Sequence, residues 1–290
     1  RPLLRRIKME PHMKVGVLIF ATDYTIQMDE LAKELEDRGF ESLFIPEHTH
    51  IPASRESAWP GGADLPKEYS HTYDPFVGLS FAAAVTKKLK VGTGICLLPQ
   101  RDTITTAKSV ASLDRMSNGR FLFGIGGGWN VEEMRQHGTK YNERFAKMKE
   151  QVLAMKQLWS EEEAAFHGKH VNFDATWQHP KPVQAPPPVI LGGETDYTLR
   201  RVVDYCEGWL PRARHGFDAV ENVARLKRFA DEAGRDMATI SISIFGAKAD
   251  KATLDDYQAA GINRSILALP PASRDKVLTV LDRYTALLDH

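Results

Sequence analysis

The chain has 290 residues, of which 42% are hydrophobic, and its 38 lysine and arginine side chains balance 38 aspartates and glutamates. A net charge of zero argues against nucleic acid or an anionic membrane surface as a partner, since both need excess positive charge, and no apolar run approaches the roughly 20 residues that span a bilayer. The two cysteines, Cys96 and Cys206, are too few for a disulfide framework, so the sequence is typical of a reducing cytoplasm.

Residues 1–12 are basic and lack a long apolar stretch, so we predict a loose leader rather than a secretion signal. From residue 13 onward, short apolar or β-branched runs, which predict buried strands, alternate with longer amphipathic segments, which predict helices. The predicted strands are 14–20, 42–46, 90–98, 121–126, 188–193, 208–211, 240–246 and 264–269. The predicted helices are 28–38, 75–86, 103–116, 141–159, 195–205, 217–233, 254–260 and 273–288.

This alternation favours a (β/α)₈ barrel, with an open doubly wound sheet as the alternative. Two connections are long: residues 49–73 are polar, and residues 160–188 are predicted to be an excursion that holds a short strand at "VNF" before the fifth barrel strand. Neither has the apolar content of a second core, so a single domain over 13–290 is predicted. Active sites of such barrels lie at the carboxyl ends of the strands, which makes the residues after each run the candidates for function.

The fourth strand runs into the glycine-rich stretch "GIGGGW". Gly124 and Gly126 match the start of a dinucleotide fingerprint, but Trp129 stands where its third glycine belongs, and a helix rather than a strand follows. Two interpretations stay open. The stretch is either a tight turn into a helix, or a place where bare backbone at Gly126, Gly127 and Gly128 meets a flat ring or a phosphate.

A second glycine pair, Gly192 and Gly193, ends the fifth strand and precedes a predicted helix that begins at Thr195. Free N–H groups and the positive end of the helix dipole make this turn a candidate anion site. Thr195 serving only as the helix N-cap is equally consistent with the pattern.

The second strand ends in "PEHTH". An H-x-H pair at a barrel strand end can hold a divalent metal, but the later strand ends supply neither more paired histidines nor the required aspartate, and His215 stands alone. No metal site is therefore predicted. Glu47 and His48 are interpreted instead as a pair in which the carboxylate orients the imidazole for proton transfer, with a plain surface pair as the alternative.

Gly92 and Gly94 lie inside the third predicted strand, where glycine often marks a bulge or a close approach of backbone. Arg101 follows this strand at the same end of the barrel. We interpret Arg101 as the salt-bridge partner of a neighbouring loop or, alternatively, as a contact for an anion.

Several stretches together resemble the luciferase-like monooxygenase superfamily, and especially its branch that uses the deazaflavin coenzyme F420. They include "RGFESLFIPEHTHIP", "LDRMSNGRFLFGIGGGW", "HPKPVQAPPPVILGG" and "EGWLP". The resemblance extends from residue 13 to about residue 211, and the last three strand–helix units match only in general pattern.

The resemblance implies a (β/α)₈ barrel with an isoalloxazine-type ring across its carboxyl-end mouth. It also implies a non-proline cis peptide between Gly94 and Ile95 that braces the ring. The glycines at 126–128 would give the ring, its ribityl chain and its phosphate room, while Gly192, Gly193 and Thr195 would lie over the phosphate or the ring.

The same resemblance assigns proton transfer to His48, with Glu47 standing where the family has an aspartate. Trp59, together with the 49–73 loop, Trp129 and Arg101, would line the substrate, although Trp129 as a core aromatic that anchors the next helix is an equal alternative.

The implied function is hydride transfer between F420 and a small organic substrate by a cytoplasmic homodimer. One alternative is an FMN-dependent monooxygenase that uses O₂ and reduced flavin from a partner reductase. The other is a barrel that binds a cofactor without catalysis.

Overall fold

A computed structural model describes residues 6–7, 12–62, 64–214 and 216–288. Its main sheet consists of β1 Lys14–Leu18, β2 Ser42–Ile45, β3 Lys90–Thr93, β4 Phe121–Ile125, β7 Val189–Gly192, β8 Gly208–Leu210, β9 Ser241–Ala247 and β10 Arg264–Ala268. These strands pair in parallel and close into a barrel in the order β1-β10-β9-β8-β7-β4-β3-β2. Each predicted strand is present, and the barrel rather than the open sheet is confirmed.

The helices lie between the strands, as parallel pairing requires. They are α1 Met28–Arg38, α2 Glu68–His71, α3 Pro75–Ala84, α4 Thr103–Met116, α5 Val131–Gln136, α6 Arg144–Ser160, α7 Asp196–Tyr205, α8 Ala219–Glu232, α9 Lys251–Ala259 and α10 Arg274–Thr285. The predictions omitted α2 and α5, which have four and six residues and are too short to show a helical period. Among the described residues, no helix combines the length and apolarity of a membrane span.

The predicted excursion is an antiparallel hairpin outside the barrel. Its strands are β5 Ala164–His167 and β6 Asn172–Thr176. The sequence predicted a strand near β6 but not its partner β5, because "AAFH" lacks an alternating pattern.

The predicted leader lies mostly outside the described residues, which omit 1–5 and 8–11. Within it, the N–H of Ile7 donates to the carbonyl of Ala238 at 2.6 Å, and Arg6 pairs with Asp236 at 2.9 Å.

The barrel interior is filled by one apolar side chain from each of six strands. They are Leu18, Phe44, Leu122, Ile190, Leu210 and Ile266. Neighbouring positions on these strands face the helices and join the larger core, since strand side chains alternate between faces. Ile95 and Phe245 pack on the interior cluster at its carboxyl end and are only partly buried, so they form the apolar floor of the barrel mouth.

Gly92 and Gly94, in and just after β3, leave space for aromatic side chains inside the barrel. A Cβ atom on Gly92 would lie 2.5 Å from the ring of Phe44, and one on Gly94 would lie 2.8 Å from the ring of Phe245. The sequence predicted that another group comes close to the backbone at these glycines. In the structure, that group is an aromatic side chain of the barrel itself, Phe44 at Gly92 and Phe245 at Gly94.

The opposite end of the barrel is held by a buried ion pair. Arg264, at the start of β10, donates two hydrogen bonds of 2.7 Å to Glu41 and a third, of 2.9 Å, to Ser243. Burial alone would raise the pKa of Glu41, but the charge and hydrogen bonds of Arg264 hold it at about 2. The stability contributed by this carboxylate is thus present above its ordinary pKa of 4.5 and is lost as the pH falls toward 2.

We predict that Glu41→Gln lowers the free energy of unfolding at pH 7 by about 3–5 kcal/mol, because it leaves the buried charge of Arg264 without a counter-charge. Urea denaturation at pH 7 and pH 3 measures this, and the loss should shrink at the lower pH. Asp231→Asn, which breaks the exposed pair with Lys227, is the matched control, with an expected change below about 0.5 kcal/mol. A Glu41→Gln variant as stable as wild type would contradict the assignment.

Candidate functional site

The centre of the barrel mouth is occupied by the side chain of Ile95. The peptide bond between Gly94 and Ile95 is cis, which confirms the bond implied by the family resemblance. The Ile95 side chain lies between two strand ends that lack side chains. A Cβ atom on Gly126 would overlap its Cδ1 atom, and one on Gly192 would lie 3.4 Å from its Cγ2 atom.

The glycine-rich stretch after β4 proves to be a packing turn. Gly126 makes room for Ile95, and a Cβ atom on Gly127 would lie 2.7 Å from the ring of Phe145. Gly128 adopts a left-handed backbone conformation, with φ of +75°, and is partly exposed. Side chains of the protein itself fill the space beside Gly126 and Gly127, and the expectation that all three glycines give a cofactor room stays a prediction.

His48 is paired with Glu133, not with its neighbour Glu47. The Nδ1 atom of His48 lies 2.8 Å from Oε2 of Glu133, and the two residues are 8% and 0% exposed. A carboxylate accepts hydrogen bonds, so this contact assigns the proton to Nδ1 and leaves Nε2 as the nitrogen available at the mouth. Sequence reasoning missed Glu133, which is 85 residues from His48.

Glu47 has a different role from the one predicted. One of its oxygens accepts the N–H of Leu97 at 2.7 Å, and the other accepts the Nε–H of Arg101 at 2.7 Å. Arg101 also donates to Asp74 at 2.6 Å and stacks over the ring of Phe76. Both side chains are committed to holding the segment after β3. The salt-bridge interpretation of Arg101 is therefore confirmed, while its place in a substrate wall stays a prediction.

The second histidine of "HTH", His50, contacts the end of helix α5. Nε2 of His50 lies 2.5 Å from the amide oxygen of Gln136, while Thr49 bridges His50 and His137 at 2.9 and 2.7 Å. Burial and the nearby His50 lower the pKa of His137. Within the described ranges, no group of three or more potential ligand side chains is placed to hold a metal ion, and His215 lies outside those ranges.

The turn after β7 is a capped helix start. The Thr195 hydroxyl accepts the N–H of Thr198 at 3.2 Å, so the N-cap interpretation is confirmed. Gly193 has a φ of +124°, and a Cβ atom there would lie 2.8 Å from the Thr198 hydroxyl. Glu194 forms a two-pronged pair with Arg212, with both contacts at 2.8 Å.

Two arginines that the sequence reasoning missed lie beside the glycine turn. The guanidinium groups of Arg144 and Arg201 stack on Phe145, with Cζ atoms 4.3 and 3.9 Å from the ring centroid. Neither has a carboxylate partner among the described residues, and Nε of Arg144 is buried without a hydrogen-bond partner. Burial and the charge of Arg201 lower the pKa of Arg144. Two neighbouring cations without a counter-ion favour an anionic ligand at this position.

Two aromatic rings pack against the imidazole of His48. Tyr69 and Trp129 lie 5.3 and 5.8 Å from its ring centroid, and Tyr69 also contacts Phe20 at 4.8 Å and Trp59 at 5.8 Å. Trp59 and Trp129 are therefore brought to one site, as predicted, and both are partly exposed. Tyr69 and Phe20 were missed because neither stands in a recognisable motif.

The chain is similar in sequence to a known protein family and to several of its members. The family model described as luciferase-like monooxygenase matches residues 13–279. An uncharacterized protein of Mycobacterium tuberculosis, Rv0953c, is 35% identical over 280 residues, which cover 95% of this chain and 99% of that protein. An F420-dependent hydroxymycolic acid dehydrogenase of the same species is 29% identical, over 78% of this chain and 60% of its own length.

Two solved structures share the fold. An F420-dependent secondary alcohol dehydrogenase, in complex with an F420–acetone adduct, is 18% identical with a TM-score of 0.74, covering 96% of this chain and 98% of that one. The oxygenating constituent of 3,6-diketocamphane monooxygenase from Pseudomonas putida, in complex with FMN, is 17% identical with a TM-score of 0.59, covering 80% and 66%. The family match over most of the chain and the 35% identical relative together establish the family. The chain belongs to the luciferase-like monooxygenases, a family of oxidoreductases and monooxygenases.

Proposed function

We propose that this protein is an F420-dependent oxidoreductase that transfers hydride between the deazaflavin and a small organic substrate at the barrel mouth. The observation that carries the proposal is the buried His48–Glu133 pair, which leaves one imidazole nitrogen available beside the apolar floor of Ile95 and Phe245. The F420-dependent relative and the F420-bound neighbour described above support the choice of coenzyme.

The residues present fit such a coenzyme. The partly exposed side chains of Ile95 and Phe245 offer an apolar surface for a flat ring. Arg144, Arg201 and the amino end of α7 offer positive charge for a phosphate. The buried amide of Gln100, with its oxygen and nitrogen both unpartnered, lies next to Gly128. When bound, a deazaflavin supplies a ring carbon that gives or takes hydride two electrons at a time and reacts poorly with oxygen.

The chain's own residues supply the proton chemistry. With Nδ1–H donated to Glu133, Nε2 of His48 accepts a proton from a substrate hydroxyl in one direction and returns it to a carbonyl oxygen in the other. Because Glu133 is fully buried, the ring keeps one tautomer and one orientation. The aromatic side chains around His48 and the apolar floor keep water from the reacting atoms and hold the substrate in place.

We expect purified protein to bind F420 and to bind FMN at least 10-fold more weakly, as measured by fluorescence titration with each coenzyme. Arg201→Gln should weaken F420 binding by about 10-fold through loss of a phosphate contact. Arg200→Gln is the matched control, since Arg200 is the adjacent residue on α7 and pairs with Glu232. Tight binding of FMN without binding of F420 would instead favour the FMN-dependent monooxygenase with its partner reductase. Binding of neither coenzyme would contradict both enzymatic assignments.

We predict that His48→Ala lowers turnover of F420 by about 10²-fold while leaving F420 affinity largely intact, since the imidazole moves a proton and the floor holds the ring. Turnover is followed by absorbance with a panel of secondary alcohols. Glu133→Gln should lower kcat and change its pH profile, because the amide can donate to Nδ1 and stabilise the other tautomer. His167→Ala, on the exposed hairpin, is the control. Wild-type turnover in the His48 variant would remove this residue from the chemistry.

We further propose that the protein is a homodimer that packs through the outer face of α3. Inward-facing side chains of this helix, such as Phe76 and Leu79, are buried, yet Val77 and Phe81 on the outside are 59% and 63% exposed, and Val85 continues the stripe. A helix that is apolar on all sides is typical of one covered on all sides.

We expect Phe81→Glu to convert a dimer into a monomer in light scattering after size exclusion, because the charge would be buried at the interface. Val220→Glu places the same charge on an equally exposed valine of α8, which is 69% exposed, and should leave the dimer intact. A monomeric wild-type protein at micromolar concentration would rule this interface out.

A further inference from the structure

The two histidines of "HTH" have different partners, and the second one meets another imidazole. His48 contacts Glu133, near the start of α5, whereas His50 lies beside His137, at the carboxyl end of the same helix. The His50 and His137 rings are 5.3 Å apart between centroids, and both residues are partly exposed. We propose that His50 and His137 together bind a divalent late transition-metal ion, such as Zn²⁺, which links the segment after β2 to α5.

One nitrogen of each ring lies beside the same oxygen atom. Nδ1 of His50 is 2.9 Å from the hydroxyl oxygen of Thr49, and Nε2 of His137 is 2.7 Å from it. Neighbouring ligand atoms around one ion are separated by roughly 3 Å when the metal–nitrogen bonds are about 2.1 Å long. Both nitrogens thus adjoin one point at the spacing that a shared ion requires.

The tautomer of His50 is the one that a metal ion needs. Its other nitrogen, Nε2, lies 2.5 Å from the side-chain oxygen of Gln136. A carbonyl oxygen only accepts, so Nε2 carries the proton and Nδ1 keeps its lone pair on the side of Thr49 and His137. A metal-bound histidine usually donates its second N–H to such an oxygen, which orients the ring. Gln136 occupies this second position.

The hydroxyl of Thr49 connects the two rings when no ion is bound. It donates to the bare Nδ1 of His50, so it accepts the Nε2–H of His137. When an ion binds, His137 carries its proton on Nδ1 instead and presents the lone pair of Nε2. Both rings stay neutral, and no net proton is released or taken up.

The electrostatic surroundings of the pair include an acidic group without a permanent cationic partner. Glu133 and Glu47 attract positive charge toward the His137 imidazole, while Arg101 and His50 oppose it. Arg101 forms an ion pair with Glu47. Glu133, in contrast, is hydrogen-bonded to an imidazole, so its negative charge remains to favour a cation at the end of α5.

Two imidazoles select the kind of ion. Imidazole nitrogen suits Zn²⁺, Ni²⁺ and Cu²⁺, whereas Mg²⁺ and Ca²⁺ take oxygen ligands. Among the described residues, no third histidine, cysteine, aspartate or glutamate joins the two imidazoles in a group that could hold a metal. Water therefore fills the remaining positions, and the affinity should be lower than that of a structural zinc site with four protein ligands.

The ion would link the same two segments that carry the proposed proton-transfer pair. His48 precedes Thr49 and His50 directly in the chain. Glu133 lies one helical turn before His137, whose N–H donates to the Glu133 carbonyl at 3.2 Å. The inference stands apart from the proposed function, because neither ligand side chain is required to touch a coenzyme or a substrate.

Calorimetric titration of the untagged full chain with Zn²⁺ tests the inference, with Mg²⁺ as the comparison ion. We expect Zn²⁺ to bind and to raise the Tm, since an ion that binds only the folded state stabilises it. Mg²⁺ should do neither. No binding of Zn²⁺ at millimolar concentration, or binding of Mg²⁺ as tight as that of Zn²⁺, would overturn the inference.

Variants locate the ion. His50→Gln and His137→Gln should each weaken Zn²⁺ binding by at least about 10-fold, since even the loss of a second-shell partner has an effect of that size. Gln136→Leu keeps both imidazoles and should weaken binding less than either substitution. His179→Gln is the matched control, because His179 is an exposed histidine that pairs with Glu162 elsewhere on the surface. Wild-type Zn²⁺ affinity in both the His50 and His137 variants would place the ion elsewhere and overturn the inference.

Discussion

The whole mouth depends on one packing constraint: Ile95 can occupy its centre only because Gly126 carries no side chain, since a Cβ atom there would overlap the Cδ1 atom of Ile95. Beneath Ile95, Gly92 and Gly94 similarly admit the rings that fill the barrel. The result is an apolar floor, formed by Ile95 and Phe245, at the centre of the mouth. Such a floor suits a flat ring, and the polar groups that would act on a substrate have to come from the rim.

Two carboxylates at the rim of the mouth, Glu47 and Glu133, have different partners. Glu47 adjoins His48 in the chain, yet it binds Arg101 and the backbone of Leu97. Glu133, from the short helix α5, takes the place beside the imidazole. Both oxygens of Glu47 accept a hydrogen bond, whereas Glu133 has His48 on one oxygen and its other oxygen, Oε1, is buried without a partner. The His48–Glu133 pair shares no residue with the Glu47–Arg101 ion pair that holds the segment after β3.

The barrel could be read from the sequence because its strands are buried on both faces and appear as short apolar runs between amphipathic helices. The contacts of His48 with Glu133 and of Phe145 with Arg201 could not be predicted, since each joins residues that are far apart in the sequence. A local signal for Glu133 existed: Asn130 and Glu133 have the spacing of a helix cap and its third residue. A glutamate at this position usually turns back to the cap, and here it turns to His48, which only the fold reveals.

The central claim is that a deazaflavin lies on the Ile95–Phe245 floor, with its phosphate near Arg144 and Arg201 and its reactive face toward His48. A crystal structure of the protein grown with F420 tests this claim most directly. The account predicts ring density in van der Waals contact with Ile95 and the phosphate within hydrogen-bond distance of at least one of the two guanidinium groups. Coenzyme density outside the barrel mouth, or a ring in the mouth with its phosphate beside Trp59 and Tyr69 instead of the two arginines, would contradict it.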